Sequence, residues 1–195
     1  PAPAGRFTSD SSRFVYEASH EQVGRFELYS AAVDGATPPV KLNATLPALG
    51  DVEPFFALTA DEPARVVYRA DQALDELQEL WSVPADGSAP PRRLNTALPV
   101  GGLRDVFHFA LGHDRRTVLY VANEDRVFAE ELHTVPSDGR HGPERLSSLS
   151  DLSDPFLTVS EYAERAGSTI FLRSQRAGIV LRDLYSRRGG HGDAR

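Results

Sequence analysis

The sequence predicts an all-β fold, a β-propeller made of four-stranded antiparallel blades, and three observations lead to this prediction. First, a Glu-Leu phrase begins at Glu27, Glu79 and Glu131, which lie 52 residues apart. Second, tyrosines and Asp-Gly pairs keep the same step: Tyr16, Tyr68, Tyr120, Asp34-Gly35, Asp86-Gly87 and Asp138-Gly139. Third, each repeat contains short β-branched or aromatic runs bounded by turn residues. A four-stranded unit with a period of roughly 40 to 55 residues is typical of a propeller blade.

The second repeat carries the clearest strand pattern. Its four predicted strands are residues 55–58, 65–70, 79–83 and 92–95. Asp86-Gly87 lies between the third and fourth strands, where glycine supplies the positive φ that a tight hairpin turn needs. The segment from Leu74 to Leu80 has a helical composition, but the same place in the other repeats has the composition of a loop. We therefore expect no helix.

The other repeats follow the same plan. Strands are predicted near 13–18, 26–33 and 39–43 in the first repeat, near 107–111, 117–122, 130–135 and 143–147 in the third, and near 156–160, 169–173 and 179–185 in the fourth. The blades then span residues 6–43, 55–95, 107–147 and 156–185 of one repeat array covering residues 1–195, with a flexible tail at 186–195. A β-sandwich is the alternative fold, but it does not require matched residues at a long fixed period.

Three complete blades and one partial blade predict an incomplete or open propeller, an arc rather than a closed ring. To close a four-bladed ring, an N-terminal strand would have to complete the last blade, and Pro1 and Pro3 cannot donate to a strand ladder. Three options follow: a segment of a larger propeller, a half-propeller that pairs with a second copy, or an arc with exposed edges that invite pairing.

The composition argues against several classes of function. The 195 residues carry a formal net charge of -7, whereas a general nucleic-acid binder needs a basic surface that neutralises phosphates. There is no cysteine, which excludes thiolate zinc sites and cysteine nucleophiles. No apolar run approaches the roughly 20 residues that span a bilayer, so we expect no membrane span.

The sequence contains no recognisable catalytic or metal-binding constellation. There is no Gly-x-Ser-x-Gly elbow and no glycine-rich phosphate loop before a helix, and the six histidines form no ligand run. We therefore predict a protein that is not an enzyme, with no catalytic residues, no metal and no cofactor. Glu27, Glu79, Glu131 and Asp183 recur in every repeat, which predicts a structural task such as accepting a backbone or arginine hydrogen bond.

Acidic residues concentrate in one set of loops. In a propeller blade, the loops between the second and third strands emerge at the same end as the linkers between blades. These loops and linkers hold eleven acidic residues and three arginines, and the predicted ligand-binding residues are Asp51, Asp71, Asp75, Asp105, Asp125 and Asp154. Such an acidic rim attracts a basic protein segment, a cation or a cationic ligand.

The order of motifs within the repeat also resembles a known family. Thr59-Ala60-Asp61, then Val66-Val67-Tyr68, then Glu-Leu-aromatic, Asp-Gly and Arg-Leu-Asn is similar to TolB-like, or WD-like, β-propeller repeats over nearly the whole chain. The resemblance implies a bacterial protein in the periplasm or at the cell surface. Propellers of this family serve as periplasmic scaffolds, as sensor domains and as the non-catalytic partners of prolyl-oligopeptidase-type peptidases.

Two functions are therefore predicted. The first is a non-enzymatic propeller scaffold that binds a protein or peptide partner through its acidic, loop-rich end. The alternative is the non-catalytic propeller domain of a prolyl-oligopeptidase-type serine peptidase or another hydrolase. The expected partner is a protein or peptide, basic in character and not a nucleic acid, with self-association or a missing remainder of the propeller as further possibilities.

Overall fold

A computed structural model places the strands of this protein in four antiparallel sheets. It describes residues 5–101, 103–125 and 130–146 with their side chains, and the backbone of strands 157–165, 168–175 and 182–188. These described residues contain strands, turns and loops and no helix, and a search of them for a helix that could cross a membrane finds none. The four sheets do not close into a barrel, so the described part of the chain is an incomplete propeller.

Each sheet contains strands that follow one another in the chain. Blade 1 consists of β1 Gly5–Phe7, β2 Arg13–Ala18, β3 Glu27–Ala32 and β4 Val40–Lys41. Blade 2 consists of β5 Val52–Leu58, β6 Arg65–Ala70, β7 Glu79–Pro84 and β8 Arg92–Arg93. Blade 3 consists of β9 Val106–Leu111, β10 Thr117–Ala122, β11 Glu131–Pro136 and β12 Glu144–Arg145. Blade 4 consists of β13 Leu157–Arg165, β14 Ser168–Gln175 and β15 Arg182–Arg188.

The blades have the simple meander order that a propeller needs, from the first strand to the last. In β6 the residue pairs Val66↔Val83 and Tyr68↔Trp81 fix the register against β7. The corresponding pair in blade 3 is Tyr120↔His133, again 52 residues further along the chain. The repeat seen in the sequence is therefore a repeat of strand register.

The hydrophobic core lies between neighbouring blades. One cluster joins blade 1 to blade 2 and includes Val15, Leu28, Val66, Tyr68 and Val83. A second cluster joins blade 2 to blade 3: Val67, Leu80, Leu94, Val106, Phe109, Val118, Tyr120, Ala122 and Val135. Since neighbouring residues of a strand point to opposite faces, Val66 and Val67 belong to different clusters. Burial on both faces distinguishes stacked blades from a two-layer sandwich.

Asp-Gly turns connect the third and fourth strands at one end of the blades. Gly35, Gly87 and Gly139 have φ values of 69°, 71° and 62°, in the left-handed region that glycine adopts without steric cost. In the second turn the Asp86 carboxylate accepts a hydrogen bond from the Ser88 N–H at 2.9 Å. The sequence-based prediction for these hairpins is confirmed.

The observed strands differ from the predicted ones mainly at the innermost and outermost positions. β1 in blade 1 was not among the predicted strands, and β5 begins at Val52 rather than at Phe55. β15 continues to Arg188, three residues beyond Tyr185. The predicted blade limits as domain boundaries remain predictions, and residues 189–195 of the predicted tail lie outside the described residues.

Candidate functional site

The acidic loops gather at the end of the blades opposite the Asp-Gly turns. We call this region the acidic end: it comprises the second-to-third-strand loops 19–26, 71–78 and 123–125 and the linkers 44–51 and 96–105. The linkers are joined to the loops by backbone hydrogen bonds. Val52 N–H donates to Phe26 O at 3.2 Å, and Val106 N–H donates to Gln78 O at 2.9 Å. Each linker is thus held against the loop of the blade it leaves.

Asp71 organises the loop of blade 2 rather than facing a partner. Its side chain is buried, and one oxygen accepts the Asp51 N–H at 2.6 Å while the other accepts the Glu76 N–H at 3.2 Å. Both carboxylate oxygens therefore satisfy backbone donors that would otherwise be orphaned. Asp71, one of the six predicted rim residues, therefore stabilises the loop and does not face a partner.

Asp51 is exposed and lies at the centre of a cluster of carboxylates. Partial burial, and next the negative charges of Asp71, Glu53, Asp75 and Glu76, raise the pKa of Asp51 above its usual value. Like charges so close together disfavour ionisation of one another. The arrangement stores electrostatic repulsion that a bound cation would relieve.

Positive charge is scarce around this cluster. Arg69 Nη2 lies 3.5 Å from Glu53 Oε2, and its Nη1 donates to the backbone carbonyls of Val106 and Phe107. Within the described residues no ion pair involves Asp51 or Asp75. The negative charge at this end is therefore only partly neutralised within the chain.

The remaining predicted rim residues lie on blade 3 or beyond it. Asp105 is half-buried, accepts the Gln78 N–H at 2.9 Å, and donates its own N–H to Asn123 Oδ1 at 2.6 Å. Burial raises the pKa of Asp105. Asp125 is exposed and is paired with Arg145. Asp154 lies outside the described residues.

No sequence pattern predicts a group of titratable side chains on the first and second strands of the blades. Its members are Glu17, Glu53, Arg69 and His108. Glu17 faces blade 2, is 7% exposed, and its Oε1 accepts no hydrogen bond from the described residues. Burial, and next the charge of Glu53, raise the pKa of Glu17 to about 7. On blade 3, burial and then Arg69 lower the pKa of His108. No short motif marks this group, because its members come from three blades.

The recurring glutamates have the structural role that the sequence predicts. Lys41 Nζ lies 3.2 Å from Glu27, and Arg93 Nη1 lies 3.0 Å from Glu79. Arg145 Nη1 lies 3.5 Å from Glu131 in the same register. Each pair joins the third strand of a blade to the fourth. The predicted arginine partner is confirmed for Glu79 and Glu131, whereas the cation beside Glu27 is a lysine. The Asp183 side chain lies outside the described residues.

The opposite end also carries carboxylates. A cleft of about 400 Å³ between blades 1 and 2, which we call the hairpin cleft, is lined by Asp10, Asp34, Glu62 and Asp86 around Arg13. Side-chain and backbone hydrogen bonds from Thr8 and Ser12 lower the pKa of Asp10 to about 2. The sequence pattern predicts acidic character at only one end, and the cleft shows that both ends carry carboxylates.

The described residues contain no cluster of three or more His, Cys, Asp or Glu side chains arranged to hold a metal ion. What the geometry does offer is a charged, loop-rich surface at the end of stacked four-stranded sheets. Fold and site together define the molecule as a β-propeller with an acidic loop end.

Comparisons with known proteins agree with this fold. No family model matches the sequence, and neither does any curated protein sequence. Among solved structures, a puromycin-hydrolyzing peptidase of Mycobacterium tuberculosis matches 97% of this chain and 28% of its own, at 11% identity and a TM-score of 0.54. A chain from a study of two prolyl endopeptidases matches 96% of this chain and 25% of its own, at 14% identity and a TM-score of 0.55.

The chain therefore spans about a quarter of the length of these two structures. The N-terminal domains of both chains are β-propellers. At such low identity the likeness concerns the fold alone.

Proposed function

We propose that this chain is a non-enzymatic, TolB-like propeller scaffold that binds a basic protein or peptide segment at its acidic end. The observation that carries the proposal is the cluster of carboxylates around Asp51, whose pKa is raised by burial and by Asp71, Glu53, Asp75 and Glu76. A lysine- or arginine-rich segment placed there would relieve this repulsion. Electrostatic contacts of this kind speed association and select partners by charge.

The exposed members of the cluster are the groups available to a partner. Asp51 and Glu76 are exposed and Asp75 is half-buried, whereas Asp71 is occupied by two backbone N–H groups. The binding residues that we propose are therefore Asp51, Asp75 and Glu76, with Asp71 holding the loop in place. Asp105 and Asp125 extend the negative surface toward blade 3.

A charge-neutralised variant tests the proposal. The triple variant D51N/D75N/E76Q is titrated with a fluorescent oligolysine peptide at about 50 mM and 200 mM salt. We expect affinity at low salt to fall at least tenfold relative to the unchanged chain, and the salt dependence to become shallower.

The matched control removes the same charge from the hairpin cleft. D34N/E62Q/D86N also neutralises three carboxyl groups, all of them exposed, and asparagine still accepts the turn hydrogen bonds that Asp34 and Asp86 accept. We expect this variant to keep most of its affinity. An equal loss in both variants would show that oligolysine responds to net charge alone, which would contradict a site at the acidic end.

The second candidate is the non-catalytic propeller domain of a prolyl-oligopeptidase-type peptidase, and the two solved structures favour it. In that case the polypeptide that contains this chain in the cell also contains a nucleophilic serine. The natural polypeptide, isolated with an antibody against this chain, is treated with a fluorophosphonate probe and analysed by mass spectrometry. Labelling outside residues 1–195 supports this candidate, and an unlabelled polypeptide favours the scaffold.

A further inference from the structure

The face of blade 1 that points away from blade 2 is built like the covered faces of blades 2 and 3, yet no hydrophobic cluster among the residues described with side chains joins it to another blade. We call it the open face of blade 1, and it carries Phe7, Phe14, Tyr16, His20 and Tyr29. Phe7 is 59% exposed, His20 is exposed, Phe14 and Tyr16 are half-buried, and Tyr29 is buried within the blade. The rings form a continuous row, with centroid separations from 4.7 Å to 5.9 Å. A row of contacting aromatic rings at a surface is typical of an interaction site.

The strand register identifies what stands at the same places in the other blades. Tyr16 pairs with Tyr29, as Tyr68 pairs with Trp81 in blade 2. Tyr68 and Tyr120 are both 0% exposed because the preceding blade covers them, whereas Tyr16 is only half-buried. Two of the three equivalent faces thus have a known occupant, and that occupant is a blade.

Polar contacts at these interfaces repeat as well. In blade 2, Gln72 Oε1 accepts hydrogen bonds from the Tyr68 hydroxyl at 3.0 Å and from the Ala44 N–H at 3.2 Å. Ala44 belongs to the linker of the covering blade. His20 holds the position of Gln72 in blade 1, with its Nε2 3.3 Å from the Tyr16 hydroxyl.

Blade 3 repeats the arrangement 52 residues later. Glu124 Oε1 accepts hydrogen bonds from the Tyr120 hydroxyl at 2.7 Å and from the Thr96 N–H at 3.0 Å. In both covering blades the donor follows an asparagine that lies two residues beyond the outermost strand. The sequences there are Leu42-Asn43-Ala44 and Leu94-Asn95-Thr96.

The hairpin turns give a third, independent indication that each of blades 2 and 3 is covered by the preceding blade. A Cβ atom added to Gly87 would lie 2.7 Å from Val40 Cγ1 of blade 1, and one added to Gly139 would lie 2.7 Å from Arg92 Cδ of blade 2. Each of these turns packs on the outer strand of the preceding blade. Gly35, in the same turn of blade 1, has nothing within 4 Å.

We propose that the open face of blade 1 is the docking surface for one further blade of the same repeat class, supplied from outside residues 1–195. The residues of this face are equivalent in register to those that blades 2 and 3 each use to pack against the preceding blade. The incoming blade presents a Leu-Asn-small sequence just beyond its outermost strand, and the N–H of the small residue is placed to approach His20.

A second copy of this chain does not provide that blade. Its third blade has Leu146-Ser147 where the first two blades have the Leu-Asn pair. Its first and second blades carry the Leu-Asn sequence, but blades 2 and 3 of the same copy already cover the faces concerned. The occupant is therefore a different blade of the class.

The test adds such a blade to the full chain. In the extended chain, a duplicate of residues 5–51 that carries Tyr16→Phe precedes Pro1, so that four residues separate the duplicated linker from Gly5, as residues 52–55 separate residues 44–51 from Phe56. Only the original Tyr16 is then available for nitration at that position. We expect the midpoint of thermal unfolding to rise by about 4 °C or more, as an added packed repeat interface would cause. We also expect nitration of Tyr16 by tetranitromethane to fall at least fivefold, with Tyr68 and Tyr120 as unreactive internal references.

Two controls separate docking from mere extension. Leu42→Asp in the added copy places a charge on the surface that must pack, and Ala44→Pro there removes the N–H aimed at His20. Both should return Tyr16 to the reactivity that it has in the chain without the added blade. If the unaltered extension changes neither the midpoint nor Tyr16 nitration, the proposal is wrong.

Light scattering coupled to size-exclusion chromatography provides the other decisive outcome. A chain that is dimeric alone and becomes monomeric once the blade is added would assign the open face to a second copy, which would overturn the proposal. A chain that stays monomeric in both forms, with Tyr16 protected in the extended form, supports it.

Discussion

Glu17 is a carboxyl group whose protonation state is coupled to folding. It is 7% exposed between blades 1 and 2, and burial followed by the charge of Glu53 raises its pKa from 4.5 to about 7. Between these values the folded chain holds a proton that the unfolded chain has released. The stabilising contribution of Glu17 is therefore complete below pH 4.5 and is lost as the pH rises through 7.

Replacing Glu17 by glutamine should remove this pH dependence. Urea unfolding at pH 5 and pH 8 gives the loss of stability over that interval for each variant, and we expect a smaller loss for Glu17→Gln than for the unchanged chain. The matched control is Glu21→Gln, which alters an exposed carboxyl group of the next loop. An identical pH dependence in all three proteins would contradict the prediction.

At the residue scale, the sequence predicts roles well where a residue recurs in each repeat. Glu27, Glu79 and Glu131 recur, and all three have the cationic partner that a structural role requires. Asp71 was predicted as a rim residue, but its carboxylate accepts the backbone N–H of Asp51, which comes from a linker 20 residues earlier. A contact of this kind depends on how the linker folds back, which no local pattern reveals.

At the scale of single elements, the Asp-Gly hairpin performs two tasks that can be separated by mutation. Its glycine adopts a left-handed backbone conformation in all three described turns, and in two of them it also packs against the preceding blade. The first task is local to the turn. The second contributes to the interface between blades.

Alanine substitutions at Gly35 and Gly87 should separate these tasks. Gly35→Ala adds only the left-handed backbone penalty, about 1–2 kcal/mol, because nothing lies within 4 Å. Gly87→Ala adds the same penalty and a close approach of its Cβ to Val40, so its loss of stability should be larger. Chemical denaturation of both variants gives the two free energies of unfolding, and equal values would show that the turn does not contribute to blade packing.

Strands in the middle of each blade were predictable, and strands at the edges were less so. The predicted 65–70 and 117–122 agree with β6 and β10, because runs such as Val66-Val67-Tyr68 have strong β propensity. The short β1 contains glycine and arginine, and its hydrogen bonds with β2 hold it in the sheet. Sheet pairing, rather than propensity, determines strands of this kind.

At the scale of the whole molecule, the repeat period predicted the architecture and left the chemistry open. A period of 52 residues fixes the register from one blade to the next, so stacking of the sheets follows from it. The acidic end could be located because propeller topology places loops and linkers together. The group that contains Glu17, Arg69 and His108 could not be located in this way, because predicting it requires the relative positions of three blades.

Burial of blade 2 on both faces has a consequence for the order in which the protein opens. Val66 and Tyr68 of β6 pack toward blade 1, and Val67 packs toward blade 3, so this strand loses all of its contacts with other blades only when both neighbours have separated. Repeat arrays of this type unfold by fraying from their ends. We expect the backbone amides of β6 to be the slowest to exchange with deuterium in native-state hydrogen–deuterium exchange.

The amides of β2 should exchange sooner, since only one face of that strand is covered. Val15 packs toward blade 2, while Phe14 and Tyr16 lie on the uncovered side. Exchange times that are equal in β2 and β6 would mean that the array opens as one cooperative unit. Faster exchange in β2 would identify blade 2 as the persistent unit from which the array rebuilds after local opening.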